Sequence, residues 1–376
     1  MTSFILFFAL FITGLYFLFI TSLYIGLSRL KKGDNFSLFP VTVVVAARNE
    51  ESKIGDCVTS LLNQEYPSEL YEIVIVNDRS EDKTASIIQQ LQTETNNLVL
   101  INIEKVPDNF SPKKYALTKA IEQAKGEIIC TTDADCIPPP TWISEMVRFF
   151  DEKTGFVAGF SPLYVNSNRK SIFSDFLFMD SIGLATASAG GIGIGTAWTC
   201  AGRNLAYRRS AFNQAGGFDK IKHIISGDDD LLMFLIHKGT DWKLRFAIGK
   251  NSSVPSFDDT DIKRFNNQRA RHSSKFLYHP PLVKSAAVII FLFYVLFITA
   301  PFLTISSIIP LNLFLLIWSV KILAEYSVTK KGANLFGTRF TISAFIKSYI
   351  LHPIVIVFSS ILGSTGKFSW KGRKYK

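Results

Sequence analysis

The chain has 376 residues, of which 48% are hydrophobic and 33 are phenylalanine, and its mean hydropathy is +0.22. That balance excludes a single ordinary soluble domain, so part of the chain is expected in lipid. The net charge of +10 would admit nucleic acid, yet the lysines and arginines gather beside apolar runs and within 263–275, a placement that suits anionic lipid headgroups and argues against nucleic acid.

From Phe4 to Leu27 the chain carries no charge. At about 1.5 Å per residue, a helix of that length exceeds the roughly 30 Å of bilayer hydrocarbon. A cleaved leader would need a basic start, whereas here Arg29, Lys31 and Lys32 follow the run. Residues 1–30 are therefore expected to form a transmembrane anchor, with the amino end outside and the bulk of the chain in the cytoplasm.

Between residues 38 and 280 apolar runs alternate with helical patterns. Val41 to Ala47 reads as a buried strand, Ile54, Val58, Leu61 and Leu62 recur at helical spacing, and Glu72 to Val76 is a second strand. The alternation continues with a helix from Thr84 to Leu91, a strand from Leu98 to Ile103, a helix from Tyr115 to Ala124 and a strand from Glu127 to Thr132. This order predicts an α/β fold with a doubly wound, largely parallel sheet that binds ligands at the carboxyl ends of its strands. Polar residues leave the sheet at that edge three times: Arg48 to Glu51, Asn77 to Ser80, and Thr131 to Asp135. Each loop alone could cap a helix; together they outline one site.

Asp133 and Asp135 project from a strand tip, where two carboxylates suit a hard divalent cation. Asp228, Asp229 and Asp230 open an amphipathic helix, a position the helix dipole also favours for acids. Cys57, Cys130, Cys136 and Cys200 match no metal-ligand spacing and read as reduced. Apolar positions from Ile172 to Ile182 read as a core helix in preference to a membrane-surface one. Ser188 to Thr196, with Gly190, Gly191, Gly193 and Gly195, reads as a flexible loop close to ligand.

Toward the carboxyl end, Ser285 to Leu303 and Ile305 to Val320 read as a helical hairpin. Residues 350–363 are short for a span and, with a basic tail at 367–376, are expected to be re-entrant or interfacial, completing a membrane region over 283–366. Lys321 and Lys347 are placed near helix ends, so few charges remain to line a transport path.

Five stretches carry a resemblance in order and spacing: Val43 to Glu51, Asn77 to Ser80, Asp133-Ala134-Asp135, Gly227 to Asp230, and Gln268-Arg269-Ala270-Arg271-His272. From about Val41 to Lys275 the chain resembles the family 2 glycosyltransferases, inverting enzymes of GT-A fold. Its flanking segments resemble the membrane-bound branch with ceramide glucosyltransferases and polysaccharide synthases.

The resemblance implies a GT-A doubly wound mixed sheet, Rossmann-like, between membrane helices. It also implies metal-dependent transfer from a nucleotide-sugar, a UDP-sugar by expectation, to a lipid or lipid-linked acceptor at the cytoplasmic face of a bacterial inner membrane. By that resemblance Ala47, Arg48, Glu50 and Asp78 would line the base and ribose, and Lys113 would neutralise the diphosphate. Asp135, with Asp133 shared between ribose and ion, would hold Mg²⁺ or Mn²⁺. Asp229 would be the general base, oriented by Asp228, while Gln268 and Arg271 would clamp the leaving group. Gly202 and Asn204 would lie under the donor sugar.

Two positions depart from the pattern. Asn77 stands where the family often has aspartate, and His272 stands where it has the tryptophan beside the acceptor. The competing readings are a processive polysaccharide synthase and a non-catalytic nucleotide-sugar-binding scaffold.

Overall fold

The computed structural model describes residues 2–165, 171–258, 262–364, 368–370 and 373–375. Helix α1 (Thr2–Arg29) is the expected apolar segment at the amino end. Strand β1 (Val41–Ala47), helix α2 (Ile54–Leu62), strand β2 (Tyr71–Asp78), helix α3 (Thr84–Gln92), strand β3 (Leu98–Ile103), helix α4 (Pro112–Gln123) and strand β4 (Ile128–Asp133) follow the expected βαβ order. Nearly every residue of β1, β2 and β4 is buried, which is why these strands read as unbroken apolar runs. In register, Ala47 lies opposite Asn77 and Ala46 opposite Asp133, so the polar ends of three strands share one edge.

Downstream come α5 (Trp142–Val147), β5 (Thr154–Gly159), β6 (Leu163–Val165), α6 (Ile172–Gly193), β7 (Leu205–Arg208), α7 (Arg209–Gln214), α8 (Asp230–Gly239), β8 (Lys243–Ala247), β9 (Ser256–Asp258) and α9 (Ile262–Ser274). The seven-stranded sheet has the order β3-β2-β1-β4-β7-β5-β8. It is largely parallel, as expected, and mixed only through β7, which runs antiparallel to both β4 and β5 because the chain enters it from the site edge, with Leu205 opposite Thr131.

One face of the sheet packs against α2, α3 and α5. The other packs against α4, α6, α7 and α8, and that core continues without a break into the apolar helices α1, α10 (Pro281–Ile305), α11 (Leu311–Leu335) and α12 (Ile342–Ser364). A short β10 (Phe368–Trp370) and β11 (Arg373–Tyr375) pair antiparallel at the end. Lys367, Lys371 and Lys376 of the basic tail lie outside the described residues.

Several expectations are corrected. Five helices among the described residues, α1, α6, α10, α11 and α12, are long and apolar enough to cross a membrane. Of these, α6 is the most enclosed, with 72% of its apolar window buried against 22–28% for the others, so it is a core helix with a membrane-like composition. Helix α11 continues past Val320 to Leu335, which puts Lys321 in its interior, fully buried and ion-paired to Glu325 at 2.7 Å. The hairpin pattern ended too early because that one pair satisfies both charges within the helix.

Helix α12 starts at Ile342, well before residue 350, and runs through Pro353. Its far end returns to α9, with Gly363 against Ser273. Finally, Ser188 to Gly193 is helix and not loop. A Cβ on Gly26 would lie 1.9 Å from the Gly190 carbonyl oxygen, and one on Gly193 would lie 2.0 Å from that of Gly26, so these glycines let α1 and α6 touch backbone to backbone.

Candidate active site

A cavity of about 410 Å³ opens at the sheet edge where β1, β2 and β4 end. Its first wall is built from the two loops after β1 and β2. Asn49 and Arg79 adopt left-handed backbone conformations, with φ of 51° and 52°. Their loops are laced together: the Asn49 N–H donates to Ser80 Oγ at 3.0 Å, the Glu81 N–H to Asn49 Oδ1 at 2.9 Å, and the Ser80 N–H to Asn77 Oδ1 at 3.2 Å. Asn77 also donates to Asn102 Oδ1 at 2.9 Å, so it braces the loop. Asp78 is buried between Arg79 at 2.7 Å and Arg48 at 3.8 Å.

The tip of β4 supplies the second wall. Lys113, on the first turn of α4, is 2.8 Å from Asp133 Oδ1 and 2.8 Å from Asp228 Oδ2. Burial works against its charge, but the two carboxylates outweigh that and raise the ammonium well above its ordinary value. The Asp135 carboxyl is pushed up by burial and then by the charge of Asp133, while Arg203 pulls it the other way. A cation bound between Asp133 and Asp135 would relieve that repulsion. Among the described residues no group of three or more His, Cys, Asp or Glu side chains converges as a metal cage. Mg²⁺ and Mn²⁺ commonly take only one or two carboxylates beside phosphate and water, so the donor set fits such an ion.

The third wall is the loop into α8. Gly227 has φ 88°, a turn that suits glycine and starts the acidic run. Asp229 caps α8: its Oδ1 accepts from the Asp230 N–H at 2.8 Å and its Oδ2 from the Gly202 N–H at 3.2 Å. Lys275 Nζ stands 3.5 Å from Asp229 and 2.7 Å from Asp230, and His279 is 3.4 Å from Asp230. Burial raises the Asp230 carboxyl, but Lys275 and His279 together hold it well below the usual range. Behind the loop, Lys114 is fully buried and donates to the carbonyls of Ile224 at 2.5 Å and Ser226 at 2.7 Å.

Helix α9 closes the cavity with Gln268, Arg271 and His272. Burial, then Lys275 and Arg271, lowers the His272 imidazole well below its ordinary value and keeps it neutral. The neighbouring Arg269 is ion-paired with Asp180 of α6.

Ala47, Arg48, Glu50, Asp78, Lys113, Asp133, Asp135, Gly202, Asp228, Asp229, Gln268, Arg271 and His272 thus surround one cavity. Asn204 does not join them. It is wholly buried, accepts from Trp142 Nε1 at 2.9 Å and donates to the carbonyls of Phe160 and Ser252, each at 2.8 Å, so it is a strut between β7 and its neighbours. Sequence reasoning missed Lys114 and Lys275. Lys114 shares a helical stripe with the buried Leu117 and Ile121, a signal that was present in the sequence. Lys275 carried none, because its partners are 45 and 46 residues away.

The description "Glycosyl transferase family 2" matches residues 42–216. Among named relatives, "Probable glycosyltransferase YdaM" of Bacillus subtilis (strain 168) is 30% identical over 195 residues, covering 50% of this chain and 44% of its own. The beta-monoglucosyldiacylglycerol synthase of Trichormus variabilis is 30% identical over 204 residues, covering 52% and 41%. The chain therefore spans less than half the length of these relatives. A solved mannosyltransferase from Pyrobaculum calidifontis, in complex with GDP-Man and Mn²⁺, superposes with a TM-score of 0.57 over 94% of this chain and 97% of its own, at 18% identity, a likeness of fold.

Proposed function

Residues 42–216 make this chain a family 2 glycosyltransferase, and on that premise we propose that it transfers one sugar, with inversion, from a nucleotide-sugar to a lipid acceptor at the cytoplasmic face of a membrane. The observation that carries this reading is Lys113, which ties the Asp133–Asp135 strand tip to the Asp228–Asp229 loop across one cavity. In this reading the strand tip faces the diphosphate, the Asp228–Asp229 loop faces the acceptor, and the donor sugar lies between them.

Asp78, buried at the foot of the first wall, accepts from an imide N–H of the base, and a uracil nucleotide supplies that donor. At the other end Asp229 takes the proton of the acceptor hydroxyl. Two backbone N–H groups hold its carboxylate in place, and Lys113 holds Asp228 beside it. The acceptor oxygen bonds to the anomeric carbon from the face opposite the leaving group, and the bonding pair departs on the nucleoside diphosphate. Lys113 and Arg271 offset the charge that gathers there, the guanidinium offering paired donors to phosphate. Mg²⁺ or Mn²⁺, held by Asp135 and Asp133, would supply further charge neutralisation to the diphosphate.

The lipid acceptor is supported by the apolar helices α1, α10, α11 and α12, by the core that joins them to the sheet, and by a relative named as a beta-monoglucosyldiacylglycerol synthase. Membranes bearing the protein, incubated with a panel of labelled nucleotide-sugars and then extracted, should yield one labelled lipid. Asp229→Asn and Asp135→Ala should each abolish that product while the protein still inserts and melts as wild type does, and chelation should stop the reaction. Label found only in water or in a long polymer would reject single transfer to lipid; turnover surviving Asp229→Asn would reject the base.

A further inference from the structure

Beyond the donor walls, the cavity runs along one face of α6. The α6 residues that line it are Leu177, Asp180, Ser181, Leu184, Ala185 and Ser188. Their spacing of i, i+3, i+4, i+7, i+8 and i+11 is a single helical stripe, about 16 Å long at 1.5 Å per residue. The stripe alternates apolar bulk with small hydroxyl residues. It belongs to a helix whose composition suits lipid, and Leu184 is 47% exposed, so the wall leads from the interior of the site to the outside.

Two hydroxyls on this side are unmatched. Ser188 is 2% exposed and Ser161, which also lines the cavity, is 4% exposed, and neither side-chain oxygen has a hydrogen-bond partner. Buried hydroxyls are normally paired, and both of these belong to residues that line one cavity, so a turn of either side chain toward the cavity would let a ligand supply the partner. Ser181, by contrast, is satisfied: it donates to the Phe178 carbonyl at 2.6 Å and accepts from the Leu163 N–H at 3.4 Å.

Charge around Asp180 is balanced. Arg269 is ion-paired with Asp180 and lies 5.1 Å from the Phe265 ring centre, and His352 Nε2 stands 3.7 Å from the other oxygen of Asp180. Lys113 is held by Asp133 and Asp228, and Lys275 by Asp229 and Asp230. A lipid phosphate placed on the α6 wall would meet the Asp180 carboxylate and a cation already matched to it. A neutral alcohol would meet two waiting hydroxyls and an apolar track.

Resting on the glycolipid reading above, we propose that the α6 wall is the acceptor subsite and that the acceptor is an uncharged lipid alcohol. Its polar oxygens pair with Ser161 and Ser188, and its chain lies along Leu177 and Leu184. The acceptor O–H gives its proton to Asp229, the oxygen forms the new bond to the anomeric carbon, and the bond to the diphosphate breaks with its electron pair.

The full-length protein in phosphatidylcholine vesicles, supplied with the nucleotide-sugar found in the panel, is given diacylglycerol, ceramide or polyprenyl phosphate in parallel. Product is expected on diacylglycerol or ceramide. Ser161→Ala and Ser188→Ala should each raise the KM for that lipid roughly five-fold, the effect of one lost hydrogen bond. Binding of the nucleoside diphosphate by calorimetry should stay unchanged. Thermal stability should hold or rise, since each substitution removes an unpaired buried hydroxyl, so a purely structural role predicts no change in KM. Product on polyprenyl phosphate alone, or an unchanged KM in both variants, overturns the proposal. Sugar released to water with no lipid glycosylated would instead defeat the glycolipid reading itself, and this subsite with it.

Discussion

Lys113 and Lys114 are adjacent in the chain, yet they hold the acidic loop from two sides. Lys113 grips the Asp228 carboxylate, while Lys114 grips the Ile224 and Ser226 carbonyls behind it. Burial lowers the Lys114 ammonium from 10.5 to about 8, with Asp228 and Asp229 opposing the shift. Below pH 8 both folded and unfolded chains hold the proton and the buried charge is a constant cost. Between pH 8 and 10.5 the unfolded chain binds it and the folded chain has released it, so this group makes stability rise with pH in that window. The melting temperature of wild type relative to Lys114→Met, measured in detergent, should therefore climb from pH 8 to 10; a flat difference would reject the shifted value. The same variant should lower kcat, since the loop that carries Asp229 loses a tether, while the KM for donor stays near wild type. Most of the candidate site was legible because Ala47 to Glu50, Asp78, Asp133 and Asp135 end or follow apolar strands within a few positions. Lys114, Lys275 and the strut Asn204 were not, because their partners come from distant elements.

At the scale of elements, the instructive case is the glycine run of α6. Its composition reads as a loop, because glycine costs a helix about 1 kcal/mol relative to alanine. The structure resolves the conflict through packing: the backbone stays hydrogen-bonded as helix, and the missing side chains let α1 come into contact. Gly26→Ala should separate these helices and destabilise the protein by about 1–3 kcal/mol, the usual range for overpacking. It should also reduce transfer, because α6 lines the cavity. Gly14→Ala on the same helix, where a Cβ meets nothing within 4 Å, should hold or raise the melting temperature and leave activity unchanged. Equal effects from the two substitutions would disprove a specific α1–α6 contact.

Across the whole molecule, a polar chain crosses the apolar helices and ends at the site. Lys321 pairs with Glu325, whose carboxylate also accepts from Tyr16 and, at 3.1 Å, from Tyr294. The Tyr294 hydroxyl is 3.2 Å from His352 Nδ1, and His352 faces Asp180, the partner of Arg269 on the cavity-lining helix α9. Lys321 also lies 3.9 Å from the Tyr349 ring centre. Removing one member of a buried pair strands the other, at a cost of about 3–5 kcal/mol, whereas replacing both with apolar residues is often neutral. Lys321→Met should therefore lower the melting temperature in detergent sharply, and adding Glu325→Leu should restore much of it; a double variant worse than the single would show that the charge itself is required.

By itself the sequence determined the alternation of strands and helices, the apolar ends and the polar motifs at the strand tips, because each depends on residues close together in the chain. Periodicity and the needs of a buried strand act locally. Only the tertiary structure decided that β7 runs backward, that the glycines are a helix contact, that Lys321 lies deep within a helix, and that α6 forms a wall of the cavity. Those outcomes depend on which surfaces meet across long separations, and the burial and pairing that select them exist only once the chain has folded.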